Sequence, residues 1–201
     1  MSLIQSKLRN DLISIFNRMT NGDDYFFAKE VSVKIAEYVE SASVKTTDNG
    51  SISAGTFSGN GNGSMKVNFT ICKNIIYSAC LAMIDMDKDG DSYLAKQMAN
   101  GVDKMVTEGN INTIITGTVI PQMGSPFPMS GTGKGKFSGT RDILRLGFLS
   151  AFNAMKDMTE NGDAYMATQV TNTITKYLQS GSVSTQGADS LLGTVGIGTV
   201  N

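Results

Sequence analysis

The sequence predicts an α+β protein of three tandem helical-hairpin repeats, each about seventy residues long and each followed by a Gly/Thr-rich β segment. Three observations lead there. A short loop recurs as Asn21-Gly22-Asp23-Asp24, Asp89-Gly90-Asp91-Ser92 and Asn161-Gly162-Asp163-Ala164. Two stripes of helical period flank every copy of that loop, and a β-branched run that turns glycine-rich follows the second stripe.

In chain order, the first stripe is Leu8, Leu12, Ile15, Phe16 and Met19. Its counterparts are Ile75, Ile76, Ala79, Cys80, Met83 and Ile84, and then Ile143, Leu144, Phe148, Ala151, Phe152 and Met155. Residues three and four apart share one face of a helix, so each stripe is the apolar side of an amphipathic helix. The loop follows, where Asn-Gly or Asp-Gly predicts a left-handed stop and the next Asp or Ser an N-cap. Second stripes run through Val31, Ile35, Tyr38 and Val39, through Met98, Val102, Met105 and Val106, and through Val170, Ile174, Tyr177 and Leu178.

Short strands are expected after each hairpin, at 43–47, 113–119 and 182–185, where β-branched residues partly alternate. The glycine-rich stretches 55–63, 131–137 and 193–200 then read as tails that let another backbone approach closely. Three such segments would make one small sheet or lie along neighbouring subunits. The repeats divide the chain at 1–66, 67–138 and 139–201.

Composition narrows the function. With no His, the commonest general base and metal ligand is missing, and Ser-His or Cys-His activation is excluded. A net charge of −1 with scattered Lys and Arg gives no field for nucleic acid. Cys72 and Cys80 lie eight residues apart on one predicted helix, about 12 Å of rise and beyond disulfide reach. They read as small buried hydrophobes. The opening segment MSLIQSKLRNDL lacks the apolar core of a signal peptide, and nothing is long and apolar enough to span a membrane. Synthesis in a cytosol is expected, with no membrane contact, no cofactor and no small-molecule substrate.

Four motifs invite a sharper reading. Asp85, Asp87 and Asp89 with Gly90 match the opening of an EF-hand loop, but its twelfth position is Lys96 where a bidentate Glu belongs. The alternatives are a calcium-responsive module built on the run Asp85–Asp91, and a solvated acidic helix end. Gly131-Thr132-Gly133-Lys134-Gly135-Lys136 lacks phosphate-loop spacing, because position 128 is Pro and Gly follows the Lys. The methionines, Met98 and Met105 among them, fill apolar helical positions as core or interface. Pro121, Pro126 and Pro128 all lie in residues 120–129, which read as a rigid extended loop peculiar to the middle repeat: a specific contact or a connector.

The helix ends and their continuations, Ile35-Ala36-Glu37-Tyr38-Val39 into Ser43-Val44-Lys45-Thr46 and Ile174-Thr175-Lys176-Tyr177-Leu178 into Ser182-Val183-Ser184-Thr185, carry a resemblance, as does the closing Gly193–Thr199. This pattern resembles small virion structural proteins of tailed bacteriophages, of the tail, neck and baseplate kind. The resemblance implies a non-catalytic assembly role in a virion, as an oligomer among other virion proteins, with β-rich tails bridging neighbouring subunits.

Overall fold

The computed structural model describes residues 3–19 and 22–201; Asn21 of the first loop lies outside them. The helices are α1 (Gln5–Arg18), α2 (Asp24–Glu40), α3 (Phe69–Met83), α4 (Gly90–Thr107), α5 (Arg141–Met155) and α6 (Gly162–Ser180). The strands are β1 (Ser43–Ile52), β2 (Gly55–Lys66), β3 (Asn110–Ile120), β4 (Phe127–Ser138), β5 (Ser182–Gly187) and β6 (Thr194–Val200). Helix pairs and strand pairs alternate along the chain, so the protein is mixed α and β as expected.

The strands depart from expectation. Instead of three short strands with glycine tails, all six close into one antiparallel barrel in sequence order, with β6 returning to β1. The glycine-rich stretches are themselves β2, β4 and β6. They pair within the chain, each with a neighbouring strand of the barrel. Residues 127–132 of β4 run past the end of β5, and a single 3-10 turn, Asp189–Leu191, covers them. There the Ala188 amide donates to the Thr132 carbonyl at 2.8 Å.

Register sets the barrel's width. From Lys134 the pairing runs one way through Asn112 and Ser64 to Ser43, and the other way through Gln186 and Val195 to Asn49. The two arrivals on β1 are six residues apart. Six strands with this stagger give a tilt of about 36° and a backbone radius of about 6 Å, too narrow for side chains from every strand. The inward positions of β1 and β3 carry side chains: Val44, Thr46 and Asp48, and Ile111, Thr113 and Ile115. Those of β2, β4 and β6 are largely glycine. A Cβ on Gly61 would collide with Thr46 and Asp48, and one on Gly133 would meet the Thr113 hydroxyl.

Each helix packs on the next, and α6 packs on α1, so the helices also form a closed ring. Helices α2, α4 and α6 run straight into β1, β3 and β5, which stacks the ring on one end of the barrel. Lys136 caps the α4–β3 junction, donating to the carbonyls of Glu108 and Gly109 at 2.9 Å each. Glu40 holds the β2 exit through the Val67 amide (3.1 Å) and Lys66 (2.8 Å). One large core joins Leu8, Leu12, Ile35, Met105, Phe148 and Tyr177 of the helices to Val44, Met65, Ile111, Phe137, Val183 and Val200 at the near end of the barrel. A second, smaller core of Phe57, Ile115, Val119 and Leu191 fills the far end.

The caps need one correction. Asp23 caps α2 as expected, accepting from the Phe26 amide at 2.7 Å. At α4 and α6, however, Asp89 (φ 63°) and Asn161 (φ 59°) take the left-handed conformation, and the glycines begin the helices. Asp and Asn are the non-glycine residues that tolerate this region best, so the stop needs no glycine there.

Candidate functional site

The barrel axis holds a carboxylate that no helical or metal-binding pattern signals. Asp48 is fully buried. The Thr46 hydroxyl donates to its Oδ2 at 2.6 Å and the Thr185 hydroxyl to its Oδ1 at 3.2 Å. Asp48 and Thr185 flank Gly196 from either side, and a side chain on that residue would strike both. The contact therefore ties β1 to β5 across the strand that closes the barrel. Thr113 places a third hydroxyl inside, buried and without a partner. The signal for Asp48 was its inward phase in the alternation Val44, Thr46, Asp48, which only pairing partners on both sides make visible.

Among the described residues no three Cys, Asp or Glu side chains converge on a point that could hold a metal ion. Asp85 and Asp87 lie on the exposed connection between α3 and α4, and Asp89 serves as the left-handed N-cap of α4. The run Gly131–Lys136 is an extended piece of β4, with none of the curvature a phosphate loop needs. The proline segment is corrected too: the loop between β3 and β4 is 121–126, and Pro128 sits inside β4 opposite Thr118. Beyond the end of β5 its missing amide costs no ladder bond.

Several protons are held tightly. Cys72, buried on α3, is pushed up to about 12 by burial; Cys80, half-buried, rises to about 11 through burial and the nearby Asp24 charge. Both thiols are free. Burial also raises Tyr38, whose hydroxyl lies 2.6 Å from Thr175 Oγ1. Tyr177 is raised by burial and by Asp103, to whose Oδ1 it donates at 2.7 Å. All four shifts have one sign. The unfolded chain releases these protons at ordinary thiol and phenol values while the fold retains them. Their contribution is therefore complete below about pH 8.5 and is lost as pH climbs toward the folded values. Melting temperature is expected to decline steadily above about pH 9, and a disulfide reagent at pH 8 to label neither thiol faster than the fold opens. Rapid native labelling would contradict these environments.

No known protein family matches this chain, and neither a curated protein nor a solved structure matches it. The surface must speak for itself.

Its two ends are alike in one respect. At the helical end, the connections between paired helices and their flanks expose Leu81 (45%), Ile84 (71%), Met86 and Met158. At the far end of the barrel, the three strand connections 53–54, 121–126 and 188–193 converge. Here Met123 is 92% exposed, Leu192 74% and Ile120 59%, with Phe127 beside them. The barrel wall between is lined outward mainly by Ser, Thr and Asn, with Ile114 (67%), Val195 and Ile197 (68%) exposed among them. Exposed apolar side chains in such number are docking features.

Proposed function

We propose that this chain is a non-catalytic structural component of a large assembly, of the tail, neck or baseplate kind in a tailed-phage virion. In it, three copies of one unit, each a helical hairpin with a β-hairpin, fold about a common axis into a single rigid plug. The observation that carries this reading is the double closure, in which helices and strands both return to their starting point. A single chain built this way presents approximately threefold ends, suited to seating on the axis of a symmetric particle. The polar groups gathered inside, Asp48 with its threonines, are locked behind the barrel wall and reach no substrate.

The bridging mode changes from the one the sequence suggested. With every strand paired inside the chain, there is no long edge for strand addition to a neighbour. Contact falls instead to side chains, chiefly Leu81, Ile84, Met86 and Met158 at the helical end. The test is a density gradient of particles assembled with wild-type chain or with an Ile84→Asp, Met158→Asp double variant. Wild type should sediment with the particles, and the variant, folded by circular dichroism, should remain at the top. A wild-type chain found wholly in the low-mass fractions would sink the proposal.

A further inference from the structure

The apolar side chains at the helical end stand in a strongly charged setting. Residues 18–24, 84–91 and 156–163, the three connections there with their flanks, carry nine Asp or Glu against Arg18, Lys88 and Lys156. That end holds a balance of −6 in a chain whose net charge is −1, which leaves +5 for the rest. Lys156 pairs with Asp91 at 2.7 Å, setting the α5–α6 connection beside the start of α4.

Fold stability accounts for some of these acids. Asp23 caps α2, and Asp91 and Asp163 lie in first turns, where the helix dipole favours them. It does not account for Asp85 and Asp157. Each stands one residue past the C-cap of its helix, Ile84 for α3 and Lys156 for α5, where the dipole opposes a carboxylate. Among the described residues the side chains of these two, and of Asp87 and Glu160, make no hydrogen bond or ion pair. Elsewhere Glu37, Glu40, Glu108 and Asp142 each face a Lys or Arg at 2.8 to 3.8 Å.

Leu81, Ile84, Met86 and Met158 are exposed among these unpaired carboxylates. A recess of about 460 Å³ between α1 and the α5–α6 connection is lined by Ile13 and Met158 together with Glu160 and Asp163. The α6 N-terminus borders it, and two carboxylates outweigh the positive partial charge of about half a unit there. An apolar recess with acidic lining fits a Lys or Arg side chain, whose hydrocarbon stem wants apolar contact and whose head wants a carboxylate. Nucleic acid and anionic lipid would be repelled. We propose that the helical end docks on a basic protein face, with its apolar side chains central and a partner Lys or Arg seated in this recess. The inference deepens the assembly reading and rests on it for the docking end.

The probes are three synthetic helical peptides of equal length, built of Leu and Lys, of Leu and Glu, or of Ser and Lys, and added to nitrogen-labelled chain. In amide correlation spectra the Leu/Lys peptide should shift residues 81–91 and 156–164 and Ile13, with Ser/Lys weaker and Leu/Glu without effect. Its affinity should fall at least about tenfold for an Asp85→Asn, Asp157→Asn, Glu160→Gln variant whose melting temperature is retained or raised. No shift with Leu/Lys would overturn the proposal. Equal binding of Leu/Glu would reduce the surface to apolar contact, equal binding of Ser/Lys to charge, and the same shifts with calcium chloride alone would give the acids to a metal; each overturns it. So would a triple variant melting well below wild type, since its carboxylates would then hold the fold. On the particle gradient the triple variant should remain at the top. If it sediments as wild type does, this inference fails and the assembly role stands.

Discussion

A chain shortened after Gly193 is expected not to fold. The eight residues removed include β6, which pairs with β1 from Val44 to Gly50 and with β5 from Val183 to Gln186. Its loss leaves two raw edges and a barrel that cannot close. Val200 leaves the large core, and Asp48 and Thr185 face water across the gap left by Gly196. The reciprocal backbone bonds between Ser43 and Asn201, at 2.9 and 2.8 Å, go as well. Domains of ordinary size are stable by about 5–15 kcal/mol, and losing one of six barrel strands exceeds that margin. Circular dichroism and limited proteolysis of the shortened chain are expected to show no cooperative melt and rapid digestion. A shortened chain melting within a few degrees of the full one would mean that the barrel does not need its sixth strand.

Gly61→Val is the point substitution with the largest expected effect. The position is buried, and the new Cβ would fall on the Thr46 hydroxyl and the Asp48 carboxyl, with Ile115 close behind. None of these can retreat, since all lie within a barrel of about 6 Å radius. Overpacking of this kind costs about 1–3 kcal/mol where the surroundings yield, and more where they do not. A loss of about 3 kcal/mol or more is expected, which for a chain of this size lowers the melting temperature by roughly 6–12 °C. The control is Gly162→Ala, whose Cβ would meet only the Met155 Cε at 3.5 Å at the first position of α6. Removing glycine there should be neutral or stabilising, by up to about 1 kcal/mol. Urea unfolding of the two variants beside wild type decides the matter. Equal midpoints for Gly61→Val and wild type would show that the barrel interior can expand.

The helices were legible because their signal is local. Leu8, Leu12 and Ile15 are buried on α1 as their spacing requires, and Leu144, Phe148 and Ala151 on α5. The β segments were half legible. The strands bearing Val44, Ile115 and Val183 alternate in ordinary fashion, whereas their partners carry glycine inward and Ser, Thr or Asn outward, with little hydrophobic contrast. The period was there, in Gly59, Gly61 and Gly63 and in Gly131, Gly133 and Gly135, written in glycine instead of valine. Reading it as a strand needs knowledge of the barrel's radius, which register alone sets. Asp48 was missed for a related reason: its burial depends on Thr185, 137 residues away. The acidic run Asp85–Asp91 offers spacing alone: it lies on the exposed turn between α3 and α4, and among the described residues no three carboxylates converge there. The apolar tip needed the fold as well, because Ile120, Met123 and Leu192 come together only when the strand connections meet at one end.

The filled interior has a mechanical consequence. A barrel packed along its axis with glycine backbone, threonine and Phe57 offers no conduit: neither ion nor solute passes through it. In the proposed assembly role it would serve as a strut. Strands tilted at about 36° place every ladder partly along the axis, so a push on the tip loads the ladders together in shear instead of peeling one strand from the next. Close-packed interiors compress little, and the force arrives in the helical ring almost undiminished.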